Sequence, residues 1–93
     1  MSEKACAFII VFGVVQGVGF RFFAVRKAHE YGLKGWVRNT YEGTVESEVE
    51  GEKSLILDYI EDLKAGPGGA GVENVKVEWK TFQNKYQDFQ ITW

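Results

Sequence analysis

A chain of 93 residues is long enough for one buried core and too short for two, so residues 1–93 read as a single domain. An apolar content of 45%, with three Trp, four Tyr and seven Phe, excludes an intrinsically disordered chain. The net charge of −2 gives no bulk attraction to nucleic acid or to an anionic membrane, so an anionic ligand would need a local positive site.

Ala5–Val14 reads as the first strand. Phe8 to Phe12 is apolar on both parities, as in a middle strand covered on both faces. The run is too short to span a bilayer and lacks the basic flank of a signal peptide. Cys6 is the only cysteine and cannot form an internal disulfide, which points to a reducing, cytoplasmic setting. With no basic neighbour in sequence, it reads as a small buried residue rather than a nucleophile.

A glycine-rich turn follows, Gly13-Val14-Val15-Gln16-Gly17-Val18-Gly19-Phe20-Arg21. Phe22–Tyr31 reads as a helix, with Phe22, Val25 and Ala28 toward a sheet, Arg26, Lys27 and Glu30 toward water, and Gly32 as the stop. Lys34–Asn39 and Thr44–Glu50 read as a hairpin across Thr40-Tyr41-Glu42-Gly43, with Gly43 where φ must be positive. Val45, Ser47 and Val49 alternate with Thr44, Glu46, Glu48 and Glu50, which predicts one buried face and one wet, acidic face.

Ser54–Lys64 reads as a second helix, with Ile56, Ile60 and Leu63 buried and Leu55 and Tyr59 at the edges of the stripe. Gly66-Pro67 ends it, and Gly66 to Gly71 is a connector. Val72–Lys80 is a fourth strand with Val75, Val77 and Trp79 on one face. Phe82–Gln87 turns the chain, and Asp88–Trp93 is a short last strand in which Phe89, Ile91 and Trp93 alternate. The order is β-α-β-β-α-β plus an edge strand. It predicts a ferredoxin-like α+β sandwich, an antiparallel sheet with two helices on one face. That fold hosts many functions and decides none.

Two stretches carry chemistry. In the turn, the glycines let backbone amides converge beside a helix N-terminus, where unpaired N–H groups and the helix dipole favour an anion. Arg21 at its mouth offers a fork of donors matched to phosphate oxygens. The same residues also fit a plain turn followed by a solvated arginine. The turn is neither a Walker A loop, since no Gly-Lys-Ser/Thr follows, nor a dinucleotide fingerprint, since the glycines are wrongly spaced. The other stretch is Gly35-Trp36-Val37-Arg38-Asn39. The strands flanking the first helix can run close together, which brings Asn39 toward the turn. An Asn there can hold a water as donor and acceptor at once; it can equally be an ordinary pre-hairpin residue. Arg38 alternates to the opposite face and reads as surface.

Val11-Phe12-Gly13-Val14-Val15-Gln16-Gly17-Val18-Gly19-Phe20-Arg21 resembles the first signature of the acylphosphatase family. Gly35-Trp36-Val37-Arg38-Asn39, with Gly43, Val45 and Gly51 at their offsets, resembles the second. Order, spacing and chain length also agree, so the resemblance covers nearly the whole chain. It implies hydrolysis of the carboxyl-phosphate bond of a small acyl phosphate, giving a carboxylate and inorganic phosphate. It implies that Arg21 binds the phosphoryl group and that Asn39 positions the attacking water. The amides of Val15, Gln16, Gly17, Val18, Gly19 and Phe20 would cradle the phosphate oxygens. No metal or cofactor is expected, since His29 is the only His and one Cys cannot complete a zinc set. His29 suits a helix C-terminus as a cation. A monomer is expected, the apolar residues being accounted for by the core.

Three rivals stand beside this reading. An RNA-binding domain of similar topology would need stacking aromatics spaced on the sheet and no row of glutamates. Acylphosphatase-like domains also open larger carbamoyl-transfer proteins that assemble hydrogenase, where the site handles carbamoyl phosphate. A regulatory domain would bind an acyl phosphate without turning it over; the presence of both Arg21 and Asn39 weighs against it.

Overall fold

The computed structural model describes residues 3–93. Strand β1 (Lys4–Val14) leads through the glycine-rich turn into helix α1 (Phe20–Glu30). Strands β2 (Lys34–Asn39) and β3 (Val45–Glu52) form the hairpin, and helix α2 (Lys53–Ala65) follows directly. Strands β4 (Gly71–Lys80) and β5 (Phe89–Ile91) complete one sheet of order β4-β1-β3-β2-β5. The first four are antiparallel to their neighbours, while β5 adds parallel to β2, with Gly35 opposite Phe89 and Val37 opposite Ile91. The fold is ferredoxin-like α+β. The last strand is shorter than Asp88–Trp93 and makes the sheet mixed. The sequence places the two strands that flank the first helix close together; instead β3 lies between β1 and β2.

Alternation along the strands sets the core. Ala5, Ala7, Ile9 and Val11 of β1 are buried, as are Val45 and Val49 of β3 and Val37 of β2. Onto this face α2 lays Ile56, Tyr59, Ile60 and Leu63. Tyr59 is fully buried rather than at the stripe's edge. Its hydroxyl can afford burial because it donates to Ser47 Oγ at 2.9 Å, while Ser47 donates onward to the Trp36 carbonyl at 2.8 Å. Helix α1 buries Phe20, Ala24 and Ala28, spaced four apart, and leaves Phe22 exposed. It begins two residues earlier than the sequence suggests, and Phe22, two positions from both Phe20 and Ala24, stands about 200° around the helix from the buried stripe.

The other face of the sheet also departs from expectation. Glu48 and Glu50 are buried, not wet. The segment 81–88 crosses over them as a strap. The Gln83 and Lys85 amides donate to Glu50 at 2.8 and 2.9 Å, and Tyr86 donates to Glu48. Lys80 and Lys85 pair with Glu48 at 2.9 and 3.1 Å. Burial alone would push the Glu48 carboxyl up, but these donors outweigh it and hold it down at about 2. Cys6 is buried as expected, and burial, with Glu48 and Glu50 nearby, pushes its thiol up.

Candidate active site

The turn between β1 and α1 spends its side chains on the protein and leaves its backbone free. Val15 and Phe20 are buried in the core, and Val18 packs against it. Gln16 turns the other way. Its side-chain amide donates to the carbonyls of Thr40 at 2.8 Å and Thr44 at 2.9 Å, in the hairpin after Asn39. Gly17 and Gly19 take φ of +75° and +76°, while the residues between and around them keep negative φ. Alternation of this kind turns successive N–H groups toward one concavity. A side chain at either glycine would meet open space, so conformation, not crowding, requires glycine there. Gly19 caps α1 without any side-chain acceptor, and no acidic residue stands in the first turn. Among the described residues, the amides from Gln16 to Arg21 meet no protein acceptor. A helix N-terminus so exposed is an anion site in waiting.

Arg21 sits in the first turn of α1, half-buried. Among the described residues it has no carboxylate partner, whereas Arg38 is held by Glu46 through bonds of 2.8 and 3.1 Å. The two arginines therefore differ in availability. Arg38 is committed on the surface, as its strand parity predicts, and Arg21 keeps its donors. The Arg21 guanidinium lies 4.7 Å from the ring centroid of Trp93.

Asn39 ends β2 on the helix-covered parity of the strand. Its Oδ1 is buried and has no hydrogen-bond partner. Buried polar atoms are nearly always satisfied, so an orphan acceptor marks a place for a water or a ligand. The hairpin does not need this side chain. Thr40 closes it instead, with the Gly43 amide donating to the Thr40 carbonyl at 3.3 Å and the Thr44 amide to Thr40 Oγ1 at 3.2 Å. Gly43 has φ of +96°, as expected.

The turn and Asn39 belong to non-neighbouring strands and are joined by the Gln16 bonds. A second link is Trp93. The amide of Thr92 donates to the Val37 carbonyl at 2.9 Å, extending the parallel register so that Trp93 comes beside Asn39. Trp93 lines a small cavity of about 240 Å³ with Asn39, Thr40 and Tyr41. Sequence reasoning gave Trp93 only a strand position; its signal was an aromatic two residues beyond a strand whose partner was not legible. A larger, open and mostly apolar groove of about 920 Å³ lies between α1 and β5, lined by Phe22, Val25, Arg26, His29 and Ile91 among others. An anion site built of amides and one guanidinium does not require such a groove. His29 lies in the last turn of α1, away from the glycine-rich turn, 3.3 Å from the Phe89 carbonyl. Among the described residues, no three His, Cys, Asp or Glu side chains gather to hold a metal ion. No helix there is long and apolar enough to cross a membrane.

The fold and this corner define a class, the small α+β sandwiches in which a glycine-rich turn with unpaired amides joins the first strand to the first helix. A family model described as Acylphosphatase matches residues 7–91. The chain is 46% identical to an acylphosphatase of Pyrobaculum calidifontis, over 96% of this chain and 82% of that relative. The crystal structure of acylphosphatase from Bacillus subtilis superposes with a TM-score of 0.93 at 34% identity, covering 96% of this chain and 99% of that one. Full-length HypF in its phosphate- and nucleotide-bound form matches with a TM-score of 0.86 at 33% identity, covering 99% of this chain but 12% of that one. The chain belongs to the acylphosphatase family of hydrolases.

Proposed function

We propose that the protein hydrolyses the carboxyl-phosphate bond of small acyl phosphates, with Arg21 and the amides of residues 15–20 holding the phosphoryl group and Asn39 orienting the water. The observation that carries this reading is the buried, unpartnered Oδ1 of Asn39, on a strand end tethered to the turn by Gln16.

The chemistry suits so sparse a site. A carboxylate leaves readily, so no strong general acid is needed. Phosphoryl transfer to water passes through a loose transition state with charge on the equatorial oxygens. Positioning and electrostatics then supply most of the catalysis. Arg21 and the cradle amides meet the phosphoryl oxygens. Asn39 accepts one hydrogen of the water and aims its lone pair in line with the departing carboxylate. Asn is no base, so the water's proton passes to a phosphoryl oxygen or to solvent. A rate flat through neutral pH fits this path, and a limb that follows a protein group would contradict it. The reading includes a monomer that works without metal.

The test is hydrolysis of benzoyl phosphate in the presence of chelator, with Asn39→Ala alongside. Turnover by the native chain and none by the folded variant supports the proposal. A folded native chain without turnover would sink it. The likeness to HypF favours one second reading, a domain that handles carbamoyl phosphate within a larger maturation protein. Turnover of carbamoyl phosphate but not of benzoyl phosphate would select it.

A further inference from the structure

Tyr41 and Trp93, 104% and 89% exposed, line the Asn39 cavity, while the exposed Phe22, which follows Arg21 in α1, lines the apolar groove beside that helix. Of these, only Trp93 touches a charged group of the site, with the Arg21 guanidinium 4.7 Å from its ring centroid.

We propose that Trp93 is a positioning residue for Arg21, its indole fixing the guanidinium so that the donor edge faces the phosphoryl group. This rests on the phosphate-binding role given to Arg21 above. Among the described residues Arg21 pairs with no carboxylate, so without another constraint its long side chain would sample many rotamers. An indole face attracts a guanidinium and removes water from one side of it. The N–H donors of a guanidinium lie in its plane, so a ring against the face leaves them free for two phosphate oxygens. A carboxylate partner would orient Arg21 as well but would occupy those donors and repel the ligand. The indole is the neutral alternative. Its own position is set by the sheet, through the Thr92 amide on the Val37 carbonyl and the pairing of Ile91 with Val37. Trp93 therefore places Arg21 relative to the same strand that carries Asn39.

The test compares the native chain with Trp93→Leu, which keeps apolar bulk without a π face, and Trp93→Phe, which restores an aromatic face. KM for benzoyl phosphate and the inhibition constant of inorganic phosphate should rise together in Trp93→Leu by about two- to fivefold, the scale of one exposed cation–π contact, with kcat changed far less. Trp93→Phe should recover most of the loss. Melting temperatures should stay close to native, since Trp93 is 89% exposed. Inorganic phosphate, at constant ionic strength, should change the native tryptophan emission. The change should vanish in Trp93→Phe, in which Trp36 and Trp79 remain. Equal constants for native and Trp93→Leu, a Trp93→Phe no better than Trp93→Leu, or emission unmoved by phosphate would each overturn the proposal. A native chain that binds phosphate at Trp93 but hydrolyses nothing would sink the hydrolase reading and leave this one standing.

Discussion

The side-chain amide of Gln16 reaches across the end of the sheet to the main-chain carbonyl of Thr40, 24 positions along the chain, at 2.8 Å. With its second bond to Thr44, it sets the register between the anion cradle and the strand end bearing Asn39. Gln16→Ala should cost about 1–2 kcal/mol of stability. It should lower kcat on benzoyl phosphate by about tenfold, more than it weakens phosphate binding, because water and phosphoryl group lose mutual alignment. Gln16→Glu has the same shape but no N–H to donate, and should be at least as damaging. Steady-state kinetics beside phosphate calorimetry separate these effects; a Gln16→Glu variant with native kcat would show that the tether is dispensable.

Asn39→Ala should reduce turnover by at least a hundredfold or so, while phosphate still binds and competes. Stability should hardly fall, since the variant removes an acceptor that is already unsatisfied. Calorimetry with phosphate and a thermal melt check both halves. Near-native turnover would remove Asn39 from the mechanism.

Arg21→Ala should lose phosphate binding and activity together, by about a thousandfold in kcat/KM. Arg21→Lys keeps the charge and loses the fork, so it should recover only a small part. If Arg21→Lys is fully active, charge alone suffices and the planar donor geometry is irrelevant.

Gly17→Val places a β-branched residue at φ +75°, with open space around the side chain. The cost is therefore conformational, about 1–2 kcal/mol, and should appear as a fall of several degrees in melting temperature. Activity should drop by more than that loss explains, because the amides no longer converge. A variant that is destabilised yet binds phosphate normally would argue against the cradle.

Glu48 predicts an acid limb of stability. Its folded carboxyl sits at about 2 against an ordinary 4.5, so the folded state binds the proton more weakly than the unfolded one. The contribution, about 3 kcal/mol, is complete above about pH 5 and is lost as the pH falls toward 2. Glu48→Gln should lower the urea midpoint at pH 7, leaving Lys80 and Lys85 without their partner, and should flatten the dependence between pH 5 and 2. An unchanged acid limb would show that Glu48 is not its source.

Local pattern made most of the elements legible. Alternation identified β3, the apolar run identified β1, and the glycine spacing marked the turn together with Arg21. What failed depended on distant chain. The start of α1 at Phe20 follows from Gly19 adopting a left-handed cap, which spacing alone does not announce. Glu48 and Glu50 look like a solvated row until the strap at 81–88 is folded over them. Gln16 gave no direction because its acceptors lie in the hairpin. Trp93 looked like the end of a strand, because parallel pairing with β2 is fixed by residues some fifty positions apart. For the candidate site, Arg21 and Asn39 can be singled out in the sequence, whereas the bonds that join their strands cannot.

The placement of β3 between β1 and β2 has a kinetic consequence. The cradle hangs from β1 and Asn39 from β2, so they meet only after both strands have paired with β3. Helices can form early from local contacts, but these pairings must first close long loops. In a refolding experiment, regained hydrolysis would therefore count only molecules whose central three strands are fully zipped. Far-ultraviolet ellipticity would recover first, and catalysis would arrive with the last cooperative step.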